Sequence, residues 1–383
     1  MKSPKKNILL IANSEWYLKN FRLHFLNFLR NNNFNVILIF PIKDNQPSEE
    51  FKHFKCIHSP IKRGSLNPVT LFSFYKLLKG VIKDHNINLI NVFSLQLSFL
   101  TGICNLFLKV LTIYSITGLG YTYVSRSIKA LSLKFVIQKL SKYIFNNQLS
   151  YFIFQNKDDQ SEFYRSGNIG VAGYSLIYGS GVDVDFFKPL REKPKSDSIT
   201  FLFAGRLLRD KGFIELISAY KEVLKKYQRV RLLIAGDIDS SNPESISRDM
   251  LKEYKNIPGI EFLGHIDDMR LVYSDADIVL LPSYREGLSR VLIEAASSGL
   301  PIITTDTPGC REVVDNSING FLVKKQSSSD LLQKMTYCCQ NPKILSAFGH
   351  ESRKIAKERF CSKKINQQTL DVYNLLLANS HVK

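Results

Sequence analysis

Cysteine is scarce in this chain and is not arranged to bind a metal. The 383 residues include six cysteines, with no CxxC pair and no spacing to histidine that is typical of a zinc site. This pattern predicts reduced, mostly buried thiols in a cytoplasmic protein. The first apolar run, within MKSPKKNILLIAN, is only five residues long. Such a short run favours a first β-strand over a signal peptide.

The chain also lacks a long uninterrupted apolar segment. The stretch 95–111 is very apolar, but Asn and Gln side chains interrupt it. A membrane span needs about 20 predominantly apolar residues, so we expect a buried or interface-facing helix here. Residues 127–147 instead form a basic amphipathic pattern. That pattern suits a membrane surface, although a solvated helix face is its commoner explanation.

Acidic residues are too few to balance the basic ones. There are 52 Lys and Arg against 34 Asp and Glu, which gives a formal net charge of +18. Residues 1–190 hold 23 basic and 10 acidic residues, a balance of +13, whereas residues 191–383 hold 29 and 24, a balance of +5. A basic first half suits nucleic acid, an anionic bilayer or a diphosphate lipid. Because no zinc spacing, RNP-like run or helix-turn-helix pattern accompanies it, we expect no nucleic-acid partner.

Short apolar strands and amphipathic helices alternate along both halves of the chain. Strands are predicted at residues 7–12, 36–40, 87–92, 111–115 and 151–155, and again at 199–204, 231–235, 260–263, 278–281 and 300–304. The chain is too long for a single core. The rhythm therefore predicts an α/β fold with two doubly wound, Rossmann-like domains, at 1–190 and 191–360. The charged, proline-containing segment 191–198 is the predicted linker.

The most informative stretch is residues 275–323. It contains a short buried strand, a loop, a predicted helix at 289–298 and a second buried strand, which together form a βαβ unit. Ligands of such sheets bind at the carboxyl ends of strands, which here is the loop that carries Glu286, Gly287, Leu288 and Ser289. Glycine allows close backbone approach, and the amides that open a helix favour an anion such as a diphosphate.

Two carboxylates flank those amides. Glu286 and Glu294 are eight positions apart, which corresponds to at most ~12 Å along a helix axis. Carboxylates accept hydrogen bonds from ribose and hexose hydroxyls, so the spacing suits a nucleotide sugar with a diphosphate between its two ends. The alternative is that Glu286 is an ordinary loop charge and Glu294 a solvated helix residue.

A second loop has complementary charge. The segment GRLLRDKG at 205–212 follows a predicted strand and precedes a predicted helix. Its cations Arg206 and Lys211, on a loop bounded by glycines, are suited to a diphosphate. The alternative is a pair of solvated loop charges.

The first half offers a different kind of candidate site. The loop after its first strand lacks GxGxxG but carries Trp16, the only tryptophan, with Tyr17 and Arg22 close by. Aromatic rings beside a cation suit a sugar ring or a lipid diphosphate, although local packing of Trp16 is an equal alternative. Thr117 and Gly118 follow another predicted strand, where glycine marks close backbone approach.

Several ordered motifs resemble one enzyme family. GSGVDVDFFKP at 179–189, GRLLRDKG at 205–212, AGDIDSSNP at 235–243, FLGHIDDM at 262–269 and LLPSYREGLSRVLIEAASSGLPIITTDTPGCREVV at 280–314 are similar to the retaining family 4 glycosyltransferases, and SLNP at 65–68 and TGLGY at 117–121 extend the likeness. These enzymes have the GT-B architecture, in which two Rossmann-like domains face each other across a cleft. Within the family, the chain most resembles bacterial enzymes that add N-acetylgalactosamine, galacturonate or related sugars from UDP to polyprenyl-diphosphate-linked glycans.

The resemblance implies a role for each matching residue. Arg206 and Lys211 would hold the donor diphosphate, with help from the amides of the 286–289 loop. Glu294 would bind the ribose hydroxyls, and Glu286 would contact the transferred sugar. Gly264 and His265 would border the base, although a lone histidine beside a strand is as often structural. The segment 361–383 would be a helix that crosses back to the first domain.

The resemblance also implies a reaction and its partners. The donor would be a UDP-sugar and the acceptor a polyprenyl-diphosphate-linked glycan of capsule or O-antigen biosynthesis, at the inner face of the cytoplasmic membrane. We expect no cofactor and no metal, because GT-B enzymes neutralise the diphosphate with their own cations. The pairs DVD, DID and DAD at 183–185, 237–239 and 275–277 only mimic a metal-binding motif. A histidine common in the family is absent at residues 116–118, which leaves the catalytic contribution of the first domain open.

Three other functions fit parts of the pattern. A UDP-sugar 2-epimerase shares the two-domain fold and needs no lipid acceptor. A binding protein could hold a nucleotide sugar without chemistry, although the joint presence of Arg206, Lys211 and Glu286 argues against a decayed site. A basic nucleic-acid binder would show salt-sensitive binding of oligonucleotides.

Overall fold

The computed structural model describes residues 5–43, 46–61, 67–119, 139–165, 173–190, 198–240 and 242–379. By their contacts, the residues divide into two compact units, Met1–Ser180 with Lys364–Lys383 and Gly181–Lys363. Each unit contains one fully parallel sheet. Two parallel-sheet Rossmann-like domains are the α/β architecture that the sequence predicts.

The first unit has a seven-stranded sheet in the order β3-β2-β1-β4-β5-β6-β7. Its strands are β1 Lys6–Ile11, β2 Phe34–Phe40, β3 Lys55–His58, β4 Leu89–Phe93, β5 Thr112–Ile116, β6 Ser150–Phe154 and β7 Tyr174–Leu176. Its helices are α1 Glu15–Tyr17, α2 Leu23–Asn31, α3 Pro68–Asp84, α4 Leu95–Leu108 and α5 Lys157–Arg165, together with α12 Ser362–Asn379, which begins at the end of the second unit. Residues 139–145 are also helical, and the remainder of the amphipathic pattern predicted at 127–147 lies largely outside the described residues.

Helices cover both faces of this sheet, as the alternation along β1 shows. Ile8 and Leu10 belong to a core that includes side chains of α2 and α12, whereas Leu9 and Ile11 belong to a core that includes side chains of α3 and α4. Successive side chains of a strand point to opposite faces, so a strand that is apolar at every position is covered on both sides. This is why the strands are continuous apolar runs.

The second unit has a six-stranded sheet in the order β10-β9-β8-β11-β12-β13. Its strands are β8 Ile199–Ala204, β9 Val230–Ala235, β10 Ile260–Gly264, β11 Ile278–Leu281, β12 Ile302–Thr305 and β13 Gly320–Val323. Its helices are α6 Phe213–Lys226, α7 Arg248–Lys255, α8 Arg270–Asp275, α9 Arg290–Ser297, α10 Ser328–Gln340 and α11 Ile344–Arg359. The order reverses between β8 and β11, and the corresponding reversal in the first sheet lies between β1 and β4. Ligands of doubly wound sheets bind at such switch points.

All ten predicted strands are present, whereas β3, β7 and β13 were not predicted. These three strands are only four, three and four residues long, and each lies at an edge of its sheet. The sequences of β3 and β7 include polar residues, so they lack the continuous apolar run by which the central strands were predicted. β13 is apolar and mostly buried, so this explanation does not apply to it.

The domain boundary lies ten residues before the predicted one, at 180/181 rather than 190/191. The reason is hydrogen bonding within the second unit. Val182 N–H donates to the Phe360 carbonyl at 2.7 Å, and the Ser297 hydroxyl donates to the Phe187 carbonyl at 2.6 Å. Most of the predicted linker, residues 191–197, lies outside the described residues.

Helix α4 covers the apolar stretch that raised the question of a membrane span. It is 14 residues long, and buried side chains such as Leu97, Leu100 and Cys104 pack into the core of the first unit. Within the described ranges, no helix has both the length and the hydropathy that a membrane crossing requires. The prediction of a buried helix is confirmed for this segment.

A local sequence signal sets the start of helix α3. Asn67 is the N-cap of α3, and its side-chain oxygen accepts a hydrogen bond from Val69 N–H at 2.9 Å, with Pro68 as the first helical residue.

All six cysteines are free. Three are buried (Cys104, Cys310 and Cys338) and three are partly buried (Cys56, Cys339 and Cys361).

Candidate active site

The loop between β8 and α6 carries the predicted cations. It leaves the sheet at Gly205, forms a 3-10 turn at Arg209–Lys211 and enters α6 through Gly212. Leu207 N–H donates to the Asp237 carbonyl at 3.1 Å, which ties this loop to the one that follows β9. The loop is therefore held in place by neighbouring backbone at the carboxyl edge of the sheet.

The loop between β11 and α9 lies beside it because β8 and β11 are neighbours in the sheet. Tyr284 N–H donates to the Asp210 carbonyl at 2.8 Å, which joins the two loops directly. The Ser283 carbonyl accepts hydrogen bonds from the hydroxyls of Thr305 and Thr307, and Glu286 N–H donates to the Pro308 carbonyl at 3.0 Å. Both loops are thus fixed before any ligand binds.

Gly212 makes the close approach of these loops possible. Its φ is +70°, and a Cβ placed there would lie 2.1 Å from the carbonyl oxygen of Pro282. We expect Gly212→Ala to destabilise the protein by about 2–4 kcal/mol, from the left-handed backbone and the overlap together. Gly80→Ala is the matched control, because a Cβ at Gly80 in α3 meets nothing within 4 Å. That variant should be stabilised by about 0.5–1 kcal/mol. Urea unfolding measures both, and equal stabilities would contradict this account of the loops.

Lys211 and Glu286 meet at this junction. Lys211 Nζ lies 2.5 Å from Glu286 Oε1, and the two side chains are only 19% and 15% exposed. Both residues are therefore shielded and paired rather than solvated. An ammonium group has three N–H donors, so Lys211 keeps donors for an anion while it holds the carboxylate. The structure brings together a cation and an acid that are 75 positions apart in the sequence.

Arg206 has a different environment. Its Nη1 lies 2.7 Å from Asp239 Oδ2, and its side chain is 48% exposed. Asp239 belongs to the DID segment after β9. Since an exposed ion pair contributes little to stability, Arg206 can exchange this partner for a ligand at small cost.

Glu294 is buried, so the alternative of a solvated helix residue is wrong for it as well. It is 7% exposed, accepts a hydrogen bond from Arg290 Nε at 2.6 Å, and accepts another from the Tyr273 hydroxyl at 3.1 Å. Burial raises the pKa of Glu294, and the hydrogen bonds from Arg290 and Tyr273 oppose that rise. Burial, followed by the charge of Glu294, raises the pKa of Tyr273. The phenol therefore remains a hydrogen-bond donor at neutral pH.

Neither partner of Glu294 was predicted from the sequence. Arg290 could have been found, because it lies four positions before Glu294 on the same helix face. Tyr273 lies 21 positions upstream and carries no local signal.

The remaining predicted donor-site residues occupy the same edge. Gly264 ends β10 with φ +68°, and His265 beside it is 73% exposed and lies 3.2 Å from an Asp267 carboxylate oxygen. Ser289 is the N-cap of α9, where its hydroxyl oxygen accepts from Leu292 N–H at 3.5 Å. Gly287 and Leu288 are partly exposed in the loop before it. Their amides lie at the start of α9, where the helix dipole favours an anion.

The predicted acceptor residues belong to the first unit and differ widely in exposure. Trp16 is 63% exposed and contacts the ring of Phe21 edge-on at 5.4 Å, whereas Arg22 is only 6% exposed. Arg22 Nε donates to the Tyr17 hydroxyl at 3.0 Å, so the structure brings these two residues together. Thr117 and Gly118 follow β5 and are partly exposed.

The fold belongs to a known class of structures. Two Rossmann-like units of parallel strands are the architecture of GT-B proteins. Residues 7–156 match the family model described as glycosyl transferase 4-like, and residues 186–355 match the one described as glycosyl transferases group 1. Both matches are to models of glycosyltransferases, and together they span most of the chain.

Individual proteins are similar over different lengths. The capsular polysaccharide biosynthesis glycosyltransferase CapM of Staphylococcus aureus is 30% identical over 188 residues, which is 49% of each chain; the alignment thus spans about half of that relative. The N,N'-diacetylbacillosaminyl-diphospho-undecaprenol alpha-1,3-N-acetylgalactosaminyltransferase of Campylobacter jejuni is 25% identical over 372 residues, 94% of this chain and 96% of that protein. The structure of Anabaena Alr3699/HepE in complex with UDP and glucose superposes with a TM-score of 0.71 at 19% identity, over 96% of this chain and 99% of that one.

Proposed function

We propose that the protein transfers a sugar of the N-acetylhexosamine or uronic acid type from a UDP-sugar to a lipid-linked glycan, with retention of configuration at the anomeric carbon. The observation that carries this proposal is the shielded Lys211–Glu286 pair at the switch point of the second sheet. The bond that breaks joins the diphosphate that leaves to the sugar that is transferred. The Lys211 cation can act on the diphosphate, and the Glu286 carboxylate can act on the sugar.

Donor binding follows from the polar groups on this edge. Lys211, Arg206 and the amides that open α9 are suited to the two phosphates. Glu294, held by Arg290 and Tyr273, is suited to the ribose hydroxyls because its carboxylate is fixed and has acceptor capacity left. Gly264 leaves room beside it for the base. The HepE complex with UDP and glucose supports a uridine nucleotide as the donor of this chain too.

In the proposed reaction, the bond between the anomeric carbon and the diphosphate oxygen breaks as an acceptor hydroxyl attacks from the same face, and the proton of that hydroxyl passes to the departing diphosphate oxygen. Negative charge develops on the departing UDP, and Lys211, Arg206 and the amide dipoles stabilise it. Positive charge develops on the sugar ring. We propose that Glu286, which pairs with Lys211, stabilises that charge with its carboxylate. These cations would neutralise the diphosphate as a metal ion could, so we propose that the reaction needs no metal ion.

The acceptor class is supported by the relatives. The Campylobacter relative is named for a diphospho-undecaprenol-linked substrate, and CapM for capsular polysaccharide biosynthesis. We therefore place the protein in the synthesis of a surface polysaccharide or related glycan, with a polyprenyl-diphosphate-linked acceptor.

A screen of UDP-sugars with polyprenyl-diphosphate-linked acceptors tests this proposal. We expect UDP release together with an acceptor product heavier by one sugar residue. Free UDP with an unchanged acceptor and an isomerised free sugar would instead indicate an epimerase of the same fold. As a first step, UDP at a hundred times its dissociation constant should stabilise the protein by about 2.7 kcal/mol. Thermal unfolding without any shift, in the presence of millimolar UDP, would contradict the proposal.

We also propose that the first unit binds the inner face of the cytoplasmic membrane. Exposed apolar side chains crowd the region of α3 and α4: Val69 is 73% exposed, Phe72 57% and Phe107 72%. Lys76 Nζ lies 4.6 Å from the ring centre of Phe72, so basic groups are interspersed with them. Such a combination is suited to an anionic bilayer.

Flotation with vesicles of anionic phospholipid tests the membrane proposal. The wild-type protein should float, and the double variant Phe72→Ser with Phe107→Ser should remain mostly in the soluble fraction. Leu271→Ser is the matched control, because Leu271 is 66% exposed but belongs to the second unit. Equal flotation of all three proteins would rule out this surface.

A further inference from the structure

Arg22 is a buried cation without an acidic partner. It is 6% exposed, and among the described residues no carboxylate forms an ion pair with it. Its guanidinium lies 4.5 Å from the ring centre of Phe93. A buried charge is costly unless it is paired or well hydrogen-bonded, and a cation–π contact offsets only part of that cost.

The hydrogen bonds of Arg22 leave much of its capacity unused. Nε donates to the Tyr17 hydroxyl at 3.0 Å and Nη1 donates to the Gly179 carbonyl at 3.3 Å. A guanidinium has five N–H donors in a planar fork, so three remain, including both on Nη2. A planar fork with two or more unfilled donors is the group that binds a phosphate or carboxylate most effectively.

These donors border a cavity within the first unit. The cavity is narrow and partly open to solvent, and Arg22 lines it together with Asn91, Phe93, Ser115, Gln155 and Thr369. Phe93 is the last residue of β4, and Gln155 directly follows β6. The cavity therefore lies at the carboxyl edge of the sheet. Arg22 follows β1, and the switch point of this sheet lies between β1 and β4, so the cavity borders the switch point.

Two further features indicate that the cavity is built rather than accidental. A π-helical turn, Leu18–Arg22, separates α1 from α2, and π-helical turns are rare and frequently occur at functional sites. The wall is also fixed, because Ser115 donates to Asn91 at 2.8 Å and Asn91 donates to the Tyr373 hydroxyl at 2.6 Å.

We propose that this cavity is an oxyanion site, in which Arg22 binds a phosphoryl group of the acceptor's diphosphate. The assignment rests on the proposed function for the identity of the acceptor, whereas the anion site itself rests on the geometry of Arg22. The same chemistry would also bind free phosphate or pyrophosphate, so inorganic pyrophosphate is a direct probe of the site.

The chain contains its own reporter for this test. Trp16 is the only tryptophan, lies six positions before Arg22 and is next to Tyr17, which bonds to Arg22. The second unit has no tryptophan, so the indole reports from the first unit, which contains Arg22. We expect pyrophosphate to change the Trp16 fluorescence of the full chain in a saturable manner, and Arg22→Gln to weaken this binding by about tenfold or more.

Matched variants separate this site from the donor site. Lys211→Ala, which alters the donor site, should keep the pyrophosphate response of Trp16 while losing affinity for UDP. If the fluorescence of the indole does not respond, calorimetry of the Lys211→Ala variant measures pyrophosphate binding directly. No binding by either method, or equal binding by the Arg22→Gln variant, would overturn the proposal. An equal response to acetate at the same concentration would overturn the assignment to a phosphoryl group.

Gln155→Leu is a second variant, for use if Arg22→Gln lowers the melting temperature. It keeps Arg22 in place but puts an apolar group into the cavity, and it should weaken pyrophosphate binding severalfold. Unchanged binding in this variant would count against the cavity. If the protein binds pyrophosphate at Arg22 but has no affinity for UDP, the anion site is retained and the proposed function is refuted. If it binds UDP but binds no pyrophosphate at Arg22, the proposed function is retained and the anion site is refuted.

Discussion

Lys211→Ala should lower kcat by about 10²–10³ and weaken UDP binding by about tenfold. The ammonium is the better shielded of the two loop cations, since it is 19% exposed whereas Arg206 is 48% exposed. Shielding from water strengthens its interaction with the charge that develops on the leaving diphosphate. The measurement is transfer of sugar to the acceptor under saturating donor, together with calorimetric UDP binding.

A matched control exists on helix α6. Lys225 and Glu222 form an ion pair of 2.6 Å, but both side chains are largely exposed. Lys225→Ala removes the same functional group from a solvated pair and should leave activity within about twofold of the wild type, because an exposed ion pair contributes little. Similar losses of activity in both variants would point to a general effect on stability, and a fully active Lys211→Ala protein would refute the proposed role of Lys211.

Glu286→Gln should lower kcat by about 10² or more without weakening UDP binding. The amide keeps the size of the side chain but removes the charge that would face the developing positive charge of the sugar ring. Lys211 would then lack its anionic partner, so its full charge could act on the diphosphate. We therefore expect UDP to bind at least as tightly as in the wild type, in contrast to Lys211→Ala.

The control for this variant is Glu222→Gln, the other half of the exposed pair on α6. It should be fully active and bind UDP normally. If Glu286→Gln lost UDP affinity and activity in parallel, Glu286 would be a positioning residue for Lys211 rather than a group that acts on the sugar. The two variants at the site thus distinguish a leaving-group role from a sugar-binding role.

Much of the fold followed from short-range patterns. The continuous apolar strands of both halves were predicted because a parallel sheet covered on both faces requires apolar residues at successive positions. The candidate loops were found for the same reason, since ligands bind where such strands end. The edge strands β3 and β7 were missed because their short segments include polar residues, and the boundary at 180/181 was missed because hydrogen bonds to distant backbone set it.

The sequence by itself determined the class of fold, the positions of the central strands and the residue types at their ends, because these depend on periodicities of two to four residues. Tertiary structure alone decided which of those residues meet. Lys211 contacts Glu286 because the sheet places β8 beside β11, and Glu294 receives the Tyr273 hydroxyl because that residue lies on the neighbouring helix α8. The same holds for the burial of Arg22, whose depth depends on Phe93 and Gly179, residues far away in the chain. Pairings of this kind depend on strand order and packing, which no local pattern encodes.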